Sequence, residues 1–177
     1  MSSKSKTKGS NFERDVARLL TDTLQVGNWQ RTPNSGAYTG KSNAHRIQSL
    51  SEGQVKHSRG DIIAPDNVNL IVECKCYAEL QGGFHSIMYG QCNKLDDWID
   101  EVYFDSENGK IPHLLIFKIT STRGFIFVAL PKKHFDIDLS EFTHTTYINI
   151  RNDETYLIIE WWVMEYIKDY IIPVIKN

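Results

Sequence analysis

Gly60-Asp61-Ile62-Ile63-Ala64-Pro65-Asp66-Asn67-Val68-Asn69-Leu70-Ile71-Val72-Glu73-Cys74-Lys75 reads as two strands joined by a tight turn. Ile62, Ile63 and Ala64 form a short apolar run, Pro65-Asp66-Asn67 is turn chemistry, and a second apolar run extends from Leu70 to Tyr77. Strand side chains alternate between faces. Leu70, Val72, Cys74 and Cys76 therefore share one face, and Ile71, Glu73, Lys75 and Tyr77 share the other. A carboxylate and an amine thus stand side by side in a strand that otherwise reads as buried. Burying both is costly unless they pair with each other or with a metal ion. Asp61, at the start of the partner strand, brings a second carboxylate to the same hairpin.

The chain around this hairpin has 177 residues, enough for one domain with a substantial core. A hydrophobic content of 41% and a charged content of 24% are those of an ordinary globular protein. No run approaches the apolar length of a membrane span, and Met1 to Lys8 lacks the apolar centre of a secretory signal. Cys74, Cys76 and Cys92 are odd in number and fall in expected core elements. The expectation is a cytoplasmic protein, of a prokaryotic cell or a virus-infected host, with no disulfides and no membrane partner. A zinc site is not expected from this Cys-x-Cys spacing. The net charge of −2 hides an asymmetry. Residues 1–60 hold ten Lys/Arg and four Asp/Glu, a net of +6, and residues 61–177 hold ten and eighteen, a net of −8. Such a split fits either a basic surface for a polyanion or a solvated basic tail on an acidic body.

Residues 1–8 read as a flexible basic tail. Ser10 and Glu13 have capping-box spacing, which starts a helix there, and Phe12, Val16, Leu19, Leu20 and Leu24 form its apolar stripe up to Gly27-Asn28. Glu13 is either a capping residue or a third acid for the hairpin. Trp29 to Thr32 reads as a short strand. A long polar basic loop follows at about 33–59, with Ser35, Lys41, Arg46, Lys56 and Arg59, a length that points to function or mobility. Gly82-Gly83 opens a second helix whose stripe is Phe84, Ile87, Met88, Gln91, Leu95, Trp98, Ile99 and Val102. Gln91 on that stripe either supports the hairpin site or is a satisfied buried amide. Strands are expected over Ile111 to Thr120 and Phe125 to Leu130, then a hairpin of Tyr147 to Ile150 and Tyr156 to Trp161 across Asn152-Asp153. A C-terminal helix, Trp162 to Ile175, is expected to be interrupted by Pro173. The aromatic group Tyr156, Trp161, Trp162, Tyr166 and Tyr170 reads mainly as core, with part at an interface. The order of elements gives a single mixed α/β domain.

Two carboxylates and a lysine at a hairpin have the composition of a Mg²⁺-dependent site for phosphodiester hydrolysis. Mg²⁺ takes one or two protein carboxylates and keeps several waters. Asp61 and Glu73 are the candidate ligands, and the backbone carbonyl of Cys74 is a further one. Lys75 would assist a metal-bound water or stabilise developing charge. Burial pushes its ammonium toward neutrality and neighbouring acids hold it charged, two opposing effects.

Gly60-Asp61…Glu73-Cys74-Lys75 resembles the PD-(D/E)XK nuclease signature, with Gly60 where the family often carries proline. Lys8-Gly9-Ser10-Asn11-Phe12-Glu13-Arg14 is similar to the opening of archaeal-type Holliday junction resolvases, and Asn34-Ser35-Gly36-Ala37 to the loop that follows in them. The resemblance implies a restriction-endonuclease-like fold, a central mixed β-sheet flanked by helices. It implies Glu13, Asp61 and Glu73 as metal-site acids, Lys75 as the catalytic lysine, and Arg14 and Ser35 near the scissile phosphate. With them, Lys8, Arg31, Lys41, Arg46, Lys56 and Arg59 are the expected DNA-binding residues. The expected activity is Mg²⁺-dependent (Mn²⁺ substituting) cleavage of branched DNA by a homodimer. The alternatives are another DNA nuclease of this superfamily, restriction-like, repair or phage DNA-degrading, and a non-catalytic DNA-binding module.

Overall fold

Strand β3 (Ile71–Tyr77) organises the chain, because its alternation divides the core in two. The computed structural model describes residues 3–33, 59–80, 85–90, 92–121 and 124–176. In order they form α1 (Ser3–Leu24), β1 (Gln30–Arg31), β2 (Ile62–Ile63), β3, α2 (His85–Met88), α3 (Asn93–Asp105), β4 (His113–Ile119), β5 (Ile126–Pro131), β6 (His144–Asn149), β7 (Glu154–Glu160), a 3₁₀ turn (Trp161–Val163) and α4 (Met164–Ile175). Seven strands make one mixed sheet in the order β1-β2-β3-β4-β5-β7-β6. Among the described strands only β3 and β4 pair in parallel; the other neighbours are antiparallel.

One core holds Val72 and Cys74 of β3 with Phe12, Val16 and Leu20 of α1 and Ile167 and Ile171 of α4. The other holds Ile71 with Leu95, Trp98, Ile99 and Val102 of α3. The face division expected from the alternation of β3 is therefore the one observed. Parallel pairing needs a long crossover, and α2 and α3 supply it. That crossover lays α3 over the face carrying Glu73 and Lys75. Hydrogen bonds to the far hairpin fix α3 from the other side. Tyr147 Oη donates to Asp96 Oδ1 at 2.7 Å, and Asn149 Nδ2 to Asp100 Oδ1 at 3.0 Å.

Several boundaries differ from expectation. Helix α1 begins at Ser3, so Ser10 and Glu13 lie inside it and the Ser10 capping box does not form an N-terminus. Once a helix is nucleated, each added turn costs little. The helix expected from Gly82-Gly83 is broken into α2 and α3 near Gly90, whose φ is +66°. The break takes Met88 off the buried stripe and leaves it 59% exposed. Helix α4 passes through Pro173 rather than stopping. Pro173 and Asp169, whose carbonyl loses its amide partner, are both exposed, so water can satisfy that carbonyl. The aromatic group is not all core. Tyr156 is buried, but Trp162, Tyr166 and Tyr170 are exposed, with Trp162 and Tyr166 clustered against Phe142. The buried stripe of α4 is Met164, Ile167, Ile171 and Ile175, and helical period turns Tyr166 and Tyr170 away from it.

A buried polar pair ties β4 to β7. His113 is fully buried; its Nδ1–H donates to the Ile111 carbonyl at 3.1 Å, and its Nε2 accepts from Tyr156 Oη at 3.0 Å. Burial lowers the His113 pKa to about 4. The unfolded imidazole takes up a proton below its ordinary value, and the folded one refuses it until about pH 4. The neutral ring thus contributes stability above pH 6.5 that is lost as pH falls toward 4. The loss is on the order of 3 kcal/mol. Urea unfolding of wild type and His113→Gln at pH 7 and pH 4 checks this: the variant should lose distinctly less stability across that range.

Candidate active site

Asp61 enters the site through Gly60, which has a φ of +68°. A Cβ there would lie 2.5 Å from the Val72 carbonyl oxygen, so only glycine fits. This explains why proline, with φ fixed near −65°, is absent from that position. The Asp61 N–H donates to Val72 O at 2.8 Å, and its carbonyl accepts from the Thr32 N–H at 2.8 Å. Its Oδ2 accepts from the Cys74 N–H at 2.9 Å. The strand ladder pairs Ile62 with Val72, and Asp61, just before it, sends its N–H to Val72 and its carboxylate to the Cys74 N–H, which sets it beside Glu73. A residue in a strand directs its N–H and C=O to the same neighbour. The Cys74 carbonyl therefore lies on the edge of β3 occupied by Asp61.

Glu73 is 8% exposed. Burial first, and then the Asp61 charge, push its carboxyl well above the ordinary range, against the opposing pull of Lys75. Lys75 Nζ donates to Glu73 Oε1 at 2.7 Å and also to Glu101 of α3. Burial alone would lower the Lys75 pKa, but the charges and hydrogen bonds of Glu73 and Glu101 raise it instead. The contest that sequence left open is settled in favour of the ammonium. Asp105, one turn beyond Glu101, is held above the ordinary carboxylate range by burial and then by Glu101, with Arg59 acting against them.

Glu13 reaches toward the same region from α1 and pairs with Arg31 Nε of β1. Glu13, Asp61 and Glu73 all bear on the buried Cys74 thiol, which burial and then these three charges raise. Arg31 lines an open groove along α1 with Arg14, Arg18, Thr21, Asn28 and Trp29. Lys8 and Arg14 are exposed, with Arg14 bonded to Asn11 Oδ1 at 2.8 Å. Arg59 pairs with Glu107 at 2.8 Å. Ser35, Lys41, Arg46, Lys56 and Gln91 lie outside the described residues. Sequence reasoning missed Glu101 and Asp105. Their signal was positional: Glu101 follows Trp98 by three and Asp105 follows Val102 by three, so both flank the buried stripe of α3.

Among the described residues, no three His, Cys, Asp or Glu side chains already gather around one point as metal ligands. Glu13 is turned to Arg31 and Glu73 to Lys75. The donor chemistry nonetheless fits a hard divalent cation. Asp61 and Glu73 offer oxygen only, and a cation would relieve the repulsion that raises Glu73.

A mixed sheet with helices on both faces, and an acid pair plus lysine at its β2–β3 hairpin, define a restriction-endonuclease-like nuclease of the PD-(D/E)XK superfamily. A family profile described as phage putative PDDEXK endonuclease matches residues 4–172, and the chain belongs to that family. No curated protein and no solved structure matches it. No described helix is long and apolar enough to cross a membrane.

Proposed function

We propose that this nuclease is a metal-dependent endonuclease that resolves four-way DNA junctions, acting as a homodimer with one active site per strand cut. The observation that carries the catalytic part is Asp61, held on the Cys74 N–H, beside Glu73, which is ion-paired with Lys75. Asp61 and Glu73, with the Cys74 carbonyl and Glu13 beside them, would hold Mg²⁺ or Mn²⁺. The cation would supply an activated water and offset charge on the scissile phosphate. Asp61 is held in place by the Cys74 N–H, so it need not reorganise to bind. Lys75 is held protonated, so it acts as a donor to phosphate oxygens rather than as a base. Ser35 joins it at the phosphate. Lys8, Arg14, Arg31 and Arg59, with Lys41, Arg46 and Lys56, carry the DNA backbone. Support for junctions as substrate comes from the Lys8 to Arg14 motif. On α1 it buries Phe12, turns Glu13 to the sheet edge and leaves Arg14 exposed.

The test compares a synthetic four-way junction with a linear duplex of the same sequence, with and without Mg²⁺. Preferential, paired nicking of the junction is expected. Asp61→Ala and Lys75→Ala should each lower the rate by about 10²–10³-fold. Equal cleavage of the linear duplex overturns junction selectivity and leaves a nuclease of broader range. Undiminished cleavage by Asp61→Ala overturns the active-site assignment. Sedimentation of the free protein tests the dimer.

A further inference from the structure

We infer that Glu101 is a positioning residue that holds Lys75 at the site and draws it off Glu73 when a divalent cation binds. The inference rests on the metal-site reading of Asp61 and Glu73. Lys75 Nζ is shared between two carboxylates from different elements, Glu73 on its own strand and Glu101 on α3. Glu73 lies next to Asp61, whose carboxylate accepts from the N–H of the following residue, Cys74. A cation taken up by the Asp61–Glu73 pair competes with Lys75 for Glu73, because both neutralise the same carboxylate. A lysine with Glu73 as its sole partner would then either block the cation or be expelled toward solvent on its flexible stem. Glu101 removes that conflict. It sits outside the acid pair, is 47% exposed at its side chain, and already carries one of the ammonium's hydrogen bonds. Lys75 can give up Glu73 and remain beside the phosphate as a charged donor. Of the other acids of α3, Asp96 bonds Tyr147, Asp97 and Asp100 pair with Arg151, and Asp105, one turn beyond Glu101, bears on Glu73 and Lys75 by charge.

The experiment is a double-mutant cycle of Glu101→Gln and Lys75→Met, with two readouts. One is Mn²⁺ affinity of the protein without DNA, by calorimetry. The other is the kcat and KM of DNA cleavage. Glu101→Gln alone is expected to weaken Mn²⁺ binding severalfold and to lower kcat by about tenfold with little change in KM. Glu101→Asp should restore most of both. In the Lys75→Met background, Glu101→Gln should change Mn²⁺ affinity by less than about twofold, since its effect runs through the lysine. Asp97→Asn, the same charge change on the same helix, should leave both readouts unchanged. An equal effect of Glu101→Gln with and without Lys75 overturns the inference, because Glu101 would then act directly. So does wild-type behaviour of Glu101→Gln beside an inactive Asp61→Asn. Full activity and Mn²⁺ binding in Asp61→Asn would instead overturn the acid-pair reading, and the inference with it.

Discussion

Glu73→Gln is expected to abolish cleavage and to raise the stability of the metal-free protein at the same time. The two effects have one cause. Glu73 is almost fully buried, and burial and Asp61 raise its carboxyl well above the ordinary range. A carboxyl whose folded pKa is raised favours folding below its unfolded value, near 4.5, and that contribution is lost as pH rises through the folded value. At pH 7 the burial of this group therefore weighs against the folded state. Glutamine keeps the shape, removes the repulsion with Asp61, and leaves Lys75 paired with Glu101. The gain should be about 1 kcal/mol, or roughly 3 °C in the melting midpoint. Cleavage should fall by at least about 10²-fold, because the amide no longer offers the anionic oxygens that a cation requires. Thermal unfolding without metal at pH 7 and pH 4 makes the check. The advantage should shrink at pH 4, below the unfolded value, where the raised carboxyl no longer weighs against folding. A variant that melts below wild type at pH 7 would mean that the Lys75 pair outweighs the burial of Glu73.

Gly60→Ala is the substitution expected to damage folding and function together. The left-handed backbone alone costs an L-residue about 1–2 kcal/mol. The added methyl would also lie 2.5 Å from the Val72 carbonyl oxygen, a backbone atom that cannot move without disturbing the β2–β3 pairing. A combined loss of about 3 kcal/mol or more is expected, large for one methyl group. The next residue is Asp61, and the same Val72 oxygen accepts its N–H, so relief of the clash shifts the carboxylate. Gly90→Ala separates the two contributions. Gly90 has nearly the same φ, +66°, and among the described residues a Cβ there meets nothing within 4 Å. Urea unfolding should show Gly90→Ala losing only the smaller part, and cleavage should fall in Gly60→Ala alone. Equal losses in the two variants would remove the steric argument.

Much of the site was legible because strand alternation is a local code. The order Val72-Glu73-Cys74-Lys75 places its side chains on alternate faces whatever the rest of the chain does, and α1 and α3 were found where their apolar stripes predicted. The turn at Pro65-Asp66-Asn67 brought Asp61 to the same hairpin, and the structure fixed its place beside Glu73. Local signals failed where tertiary packing outweighs them. Propagation carried α1 past the Ser10 capping signal to Ser3, and an exposed position let α4 accommodate Pro173. A left-handed glycine broke the helix that periodicity alone would have kept whole.

Sequence by itself determined which residues of β3 are charged, which face they share and which acid begins the partner strand. Only the tertiary structure decided the state of Lys75. Its ammonium is set by two acids, and one of them, Glu101, reaches it because the parallel pairing of β3 with β4 forces the crossover to lay α3 on that face. The balance between burial and charge depends on that contact. No period within β3 encodes it, because its partner lies on another element of the chain.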